Sequence, residues 1–271
     1  MTGRERELAA IRHELPDRVP TDVICIENAE AIAAALGIEP DAVMEALGID
    51  GRIVGAGYMR PVPPATAEGH QFTEWGTLST GDYGTARGHY PLAGADSIAQ
   101  VEAYAWPSPE DYDYAQAART AQVLAPRYAV RGPYWHPLFC RVCDLMGMEQ
   151  ALAAMLARPA VFEAALERIF EITATYCERL LDGCGEAMPI LCLGDDFATQ
   201  RGMMVSPAHW RRYLKGRLAR LFGIGKARGR HVWFHSCGDV TAILGDLVEI
   251  GMDVWETVQL HTLPMSAAEL K

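Results

Sequence analysis

No apolar run in this 271-residue chain approaches the ~18 residues that a membrane-spanning helix needs. The N-terminus, MTGRERELAAIRHELPDR, is charged and helical in pattern and lacks the apolar stretch of a signal peptide. A soluble, cytoplasmic protein is expected. Basic charge is also scarce: 24 Lys and Arg against 35 Asp and Glu give a formal net charge of −11. Phosphate backbones need basic surfaces, so neither nucleic acid nor a membrane is expected as a partner. One basic stretch, residues 209–230, reads as the solvated face of an outer helix rather than a docking patch for an acidic partner.

The seven cysteines are too scattered for a disulfide framework. Cys140 and Cys143 form a CxxC, but no second CxxC completes a zinc site. PLFCRVCDLMG reads as the middle of a short helix, not the exposed helix start that stabilises a redox thiolate. With Cys25, Cys177, Cys184 and Cys192, this pair reads as small core hydrophobes. No GxGxxG follows any candidate strand, which weakens a dinucleotide-binding reading. Internal repeats and low-complexity segments are absent.

What the chain does have is alternation. Half of its residues are apolar, enough for a sizeable core. Apolar, strand-like runs at 18–27, 51–59, 127–135, 188–196, 231–238 and 253–259 are separated by stretches of helical period. Phe162, Leu166, Ile169, Thr173, Tyr176 and Leu180 form one helical stripe, and Ser206 with Pro207 marks a helix start. Residues 70–92 interrupt the pattern with a hairpin-like excursion. Continuous apolar strands between helices imply a parallel sheet covered by helices.

The polar residues collect after strands: Glu27, Trp135, the pair Asp195 and Asp196, His235 with Cys237, and Gln259. A (β/α)8 TIM barrel builds its active site at that end, so a single barrel domain over residues 1–271 is expected. Side chains two apart on a strand point the same way, so His235 and Cys237 can face one centre. Imidazole and thiolate suit zinc, although a catalytic zinc takes three protein ligands and HxC supplies two. The alternative is a His and a Cys merely packed at a strand end. Asp195 and Asp196 are candidate catalytic carboxylates, of which only one reaches the site if both keep strand geometry; the alternative is a helix-capping or loop pair, and Arg201 is a candidate partner for one of them. Glu27, Trp135 and Gln259 are candidate substrate-binding residues.

LGDDFATQRGMMVSPAHWRRYL followed by FHSCGDVTAILGDLVEIGMDVWETVQ resembles the uroporphyrinogen decarboxylase superfamily, especially its corrinoid-dependent methyltransferase branch. ELPDRVP at 14–20 and HYPLAGADSIAQVEAYAWPSPEDYD at 89–113 carry the same likeness. The resemblance implies a TIM barrel, zinc ligands at His235 and Cys237, and methyl transfer between a small molecule and a corrinoid (cobalamin) on a partner protein. It also implies two further strands beyond DVWETVQ and a remaining metal ligand near the last of them, so the chain is expected to be a barrel truncated after its sixth strand. The arginine-rich opening that grips porphyrinogen carboxylates is replaced here by VICIENAEAIAA, which has no arginine. A metal-independent decarboxylase using Asp195 or Asp196, and a non-catalytic barrel binding protein, are the competing readings.

Overall fold

The computed structural model describes residues 1–79, 88–133 and 137–270. Its centre is a five-stranded, all-parallel sheet: β1 (Gly51–Ile53), β2 (Ala129–Pro133), β3 (Ile190–Gly194), β4 (His231–His235) and β5 (Val254–Glu256), lying side by side in chain order. Nearest-neighbour parallel strands joined by helical crossovers are the partial TIM-barrel arrangement. The crossovers include α2 (Tyr114–Leu124), the 26-residue α3 (Pro159–Cys184), α4 (Gly216–Lys226) and α5 (Thr241–Glu249), with α1 (Gly3–Ile11) preceding the sheet.

Strand alternation sorts the core into two faces. Leu191, Leu193, Val232 and Phe234 join the large outer core, to which α3 contributes Phe162, Leu166, Ile169 and Leu180. Ile190, Cys192 and Trp233 face the other way and pack on Leu8 of α1. α1 has a capping box, Thr2 with Glu5, and the Arg4 N–H donates to the Arg127 carbonyl, just before β2. It therefore lies across the N-terminal end of the strands. Inside that end, buried Arg131 pairs with Asp22 and lies 4.7 Å over the Trp233 ring.

Several expectations need correction. Residues 18–27 form no strand; the segment is partly exposed, and Cys25 lies at the surface rather than in the core. Tethers hold it instead of a ladder: the Asp22–Arg131 ion pair and the Thr21 N–H donating to Asp50 Oδ2 at 2.9 Å. The sheet thus holds five of the six expected strands. Cys140 is not mid-helix but in the first turn of Phe139–Met146. Burial, with Asp195 nearby, pushes its thiol well above the usual range, the opposite of a redox thiolate.

Other expectations agree with the structure. Ser206 accepts from the His209 N–H and Pro207 opens the helix. The excursion contains an antiparallel pair, Gln71–Phe72 with Leu78–Ser79. In the basic stretch, Arg211 and Lys215 pair with Asp246, Arg217 with Glu167, Lys226 with Asp253 and Arg228 with Asp182, so these charges are met within the fold. Arg201 forms no ion pair among the described residues. No described helix is long and apolar enough to cross a membrane.

Candidate metal centre

Two strand registers build the site. Gly194 pairs with His235 across β3 and β4, so the residues two further on, Asp196 and Cys237, leave their strands at the same level. His235 pairs with Glu256 across β4 and β5. The Cys237 Sγ lies 3.3 Å from His235 Nε2, and Asp196 Oδ1 lies 3.6 Å from the same nitrogen. Ligand atoms of Asp196, His235 and Cys237 all fall within 4.8 Å of one another. Asp196 Oδ1 also accepts the Cys237 backbone N–H at 2.7 Å, which binds the two strand ends together.

His235 is 4% exposed, and its other nitrogen, Nδ1, is 3.2 Å from Glu256 Oε2. Glu256 further accepts from the Trp233 indole N–H and the Thr257 hydroxyl. Burial by itself would lower the His235 pKa, but the hydrogen bonds to Cys237 and Glu256 outweigh it and raise the value to about 9. Glu256 is correspondingly held low: burial opposes its ionisation, and His235 more than offsets that. Surroundings that hold a proton on an imidazole this firmly also favour a metal cation, which would displace that proton.

The donor set fits zinc. One nitrogen, one sulfur and one carboxylate oxygen leave a fourth position open, as catalytic zinc sites require. Tetrahedral bonds of roughly 2.0–2.3 Å place ligand atoms roughly 3.5 Å apart; the two separations from His235 Nε2 are 3.3 and 3.6 Å, and all three atoms lie within 4.8 Å of one another. With Nδ1 held by Glu256, Nε2 is the nitrogen that faces the cluster and would offer its lone pair once a metal displaces its proton, the carboxylate–histidine arrangement that second-shell partners impose.

The turn after Cys237 is fixed by backbone needs. Gly238 has φ +79°, and a Cβ there would sit 2.6 Å from the Thr199 carbonyl oxygen. Only glycine fits such a position. Its N–H donates to Gln259 Oε1 at 3.3 Å, so Gln259 borders the site by holding the turn. Asp239 then accepts the Thr241 N–H at the start of α5, one residue earlier than a standard cap.

Asp195 and Asp196 diverge, as strand geometry requires. Fully buried Asp195 accepts the Phe139 and Cys140 N–H groups, both at 2.7 Å, and so caps the helix after β2 rather than facing the His235–Cys237 pair. Glu27 is exposed on an open groove that residues 22–28 form with Glu256. Trp135 lies outside the described residues. Sequence reasoning missed Glu256, whose only local signal was its position within an apolar strand.

The parallel βα units define a partial TIM barrel, and the three-residue donor cluster at its strand ends lies where such folds place their active sites. The model of the uroporphyrinogen decarboxylase (URO-D) family matches residues 95–268, and the chain belongs to that family. A methyltransferase from Methanosarcina mazei is similar in structure, with a TM-score of 0.61 and 18% sequence identity. The match covers 95% of this chain and 76% of that one, and at this identity it speaks for the fold. No curated protein matches the chain.

Proposed function

We propose that the protein is a zinc-dependent methyltransferase, moving a methyl group between a small molecule and a corrinoid carried by a partner protein. The observation that carries this reading is the convergence of Asp196, His235 and Cys237 at the strand ends. Family membership and the likeness to a methyltransferase fold support it. In this reading His235 Nε2, Cys237 Sγ and an Asp196 oxygen hold the metal. Bound zinc would supply Lewis acidity, activating either an acceptor thiol or the heteroatom that methyl leaves.

The remaining residues prepare the site. Glu256 fixes the imidazole so that its lone pair points inward. Gly238 and Gln259 hold the backbone that presents Cys237. Glu27 borders the groove beside Glu256, on the side open to a substrate. Asp195 holds the first turn of the helix Phe139–Met146. That employment also weakens the metal-free decarboxylase reading, which of the adjacent aspartates keeps Asp196 alone at the cluster.

Metal analysis of protein reconstituted with zinc and dialysed tests the proposal. One zinc per chain is expected, falling sharply in His235→Ala and in Cys237→Ala. Loaded protein should then demethylate methylcobalamin when supplied with a thiol acceptor, read from the corrin absorbance. Unchanged zinc stoichiometry in both variants would sink the assignment.

A further inference from the structure

A cavity of about 150 Å³ lies beyond the ends of β1–β3, between the strands and α3. Ala56, Pro133 and Leu193 bring the strand ends to it, and Ile172, Thr173 and Tyr176 come from α3. Glu74 and Trp75 of the excursion, with Tyr112 and Arg141, complete the lining. It shares no residue with the Asp196–His235–Cys237 cluster. A volume of this class accommodates one benzene-sized ring.

The hydrogen-bonding inventory indicates what the cavity lacks. The Tyr176 hydroxyl is committed to Ala56, donating to its carbonyl at 3.0 Å and accepting its N–H at 2.6 Å. The Tyr112 hydroxyl donates to Glu74 at 3.2 Å, and the Thr173 hydroxyl to the Pro137 carbonyl at 3.4 Å. Arg141 is different. Its guanidinium, with five N–H donors, rests 4.8 Å from the Trp75 ring centroid and reaches Asp144 only at 3.5 Å. Its buried Nε has no hydrogen-bond partner. Beside its long contact with Asp144, Arg141 therefore keeps charged donors unspent, which a carboxylate satisfies with paired bonds to guanidinium.

The walls select the rest of the ligand. Trp75, Tyr112 and Tyr176 present aromatic surface, with Tyr112 and Tyr176 set edge-to-face at 4.8 Å. Ala56, Ile172 and Leu193 keep the remainder apolar. Glu74, also in the lining and accepting from Tyr112, disfavours any acidic group that Arg141 does not hold. We propose that this cavity binds a small single-ring aromatic monocarboxylate, with its carboxylate on Arg141 and its ring among Trp75, Tyr112 and Tyr176.

Calorimetric titration of the full chain with benzoate tests this, using zinc-free and zinc-loaded protein in parallel. Saturable one-to-one binding is expected in both. Arg141→Met should weaken it by at least about tenfold, the order expected for losing charge-assisted hydrogen bonds. Ala56→Leu, which fills the cavity and keeps Arg141, should abolish binding while circular dichroism shows a folded chain. Benzylamine, the same ring with a cation, should not bind. Failure of benzoate to bind, equal binding of benzylamine, or full affinity in both variants would overturn the proposal. None of these outcomes bears on zinc stoichiometry, so the two readings fail separately.

Discussion

Replacing Glu256 by Gln is the sharpest probe of how the site is organised. The side chain keeps its size, and its amide oxygen can still accept from His235 Nδ1–H, but the charge opposite the imidazole is gone. The amide can also turn, so that its NH₂ donates to Nδ1. That rotation moves the ring proton to Nε2, the nitrogen 3.3 Å from Cys237 Sγ and 3.6 Å from Asp196. A protonated Nε2 cannot ligate. The 3.2 Å contact between Glu256 and buried His235 is part of an anchored arrangement, because the same carboxylate receives Trp233 and Thr257. Loss of a partner of this kind typically costs about 10–100-fold in metal affinity, or roughly 1.4–2.7 kcal/mol. Competition against a chromophoric zinc chelator measures the change directly. Thermal unfolding of the metal-free variant checks that the fold survives. Zinc affinity in Glu256→Gln equal to that of the parent protein would refute the positioning role.

Other outcomes follow from individual contacts. Gly238→Ala places a side chain at φ +79° and against the Thr199 carbonyl; a loss of about 1–3 kcal/mol is expected, measured by denaturant unfolding, with reduced zinc retention. Asp195→Ala removes the acceptor of two helix N–H groups and should cost about 0.5–2 kcal/mol or more. Its zinc stoichiometry should nevertheless stay unchanged, a split that a metal-ligating Asp195 would not give. Glu7 is buried, and burial together with Asp22 raises its pKa to about 8 despite the opposing Arg131. The folded state therefore holds a proton that the unfolded state releases near pH 4.5, and this group lowers stability as pH rises from there to about 8. Glu7→Gln should remove that slope, so the variant gains on the parent protein between pH 5 and pH 8 in parallel denaturation series, by up to about 1.4 kcal/mol per pH unit. A parallel pH dependence in the two proteins would show that Glu7 is ionised in the fold.

Local geometry made part of the site legible in the sequence. The two-residue spacing of His235 and Cys237 brings Sγ and Nε2 to one side, as a period of two requires. The adjacency of Asp195 and Asp196 sends them to opposite sides by the same rule. Ser206 and Pro207 start their helix because capping and a preset φ act within one turn. Tertiary structure decided everything that depends on which strands are neighbours and in what register. The 18–27 run is apolar enough for a strand, yet no described strand pairs with it in a ladder, and ion pairs fix it instead. Asp196 joins the cluster because β3 meets β4 with Gly194 opposite His235, and Glu256 reaches His235 because β5 sets it directly opposite. A parallel register is set by how side chains pack on both faces of the sheet, and one step of slip would turn Glu256 to the other face. Forty-one residues separate Asp196 from Cys237, and twenty-one separate His235 from Glu256. Only the assembled sheet brings each pair into contact.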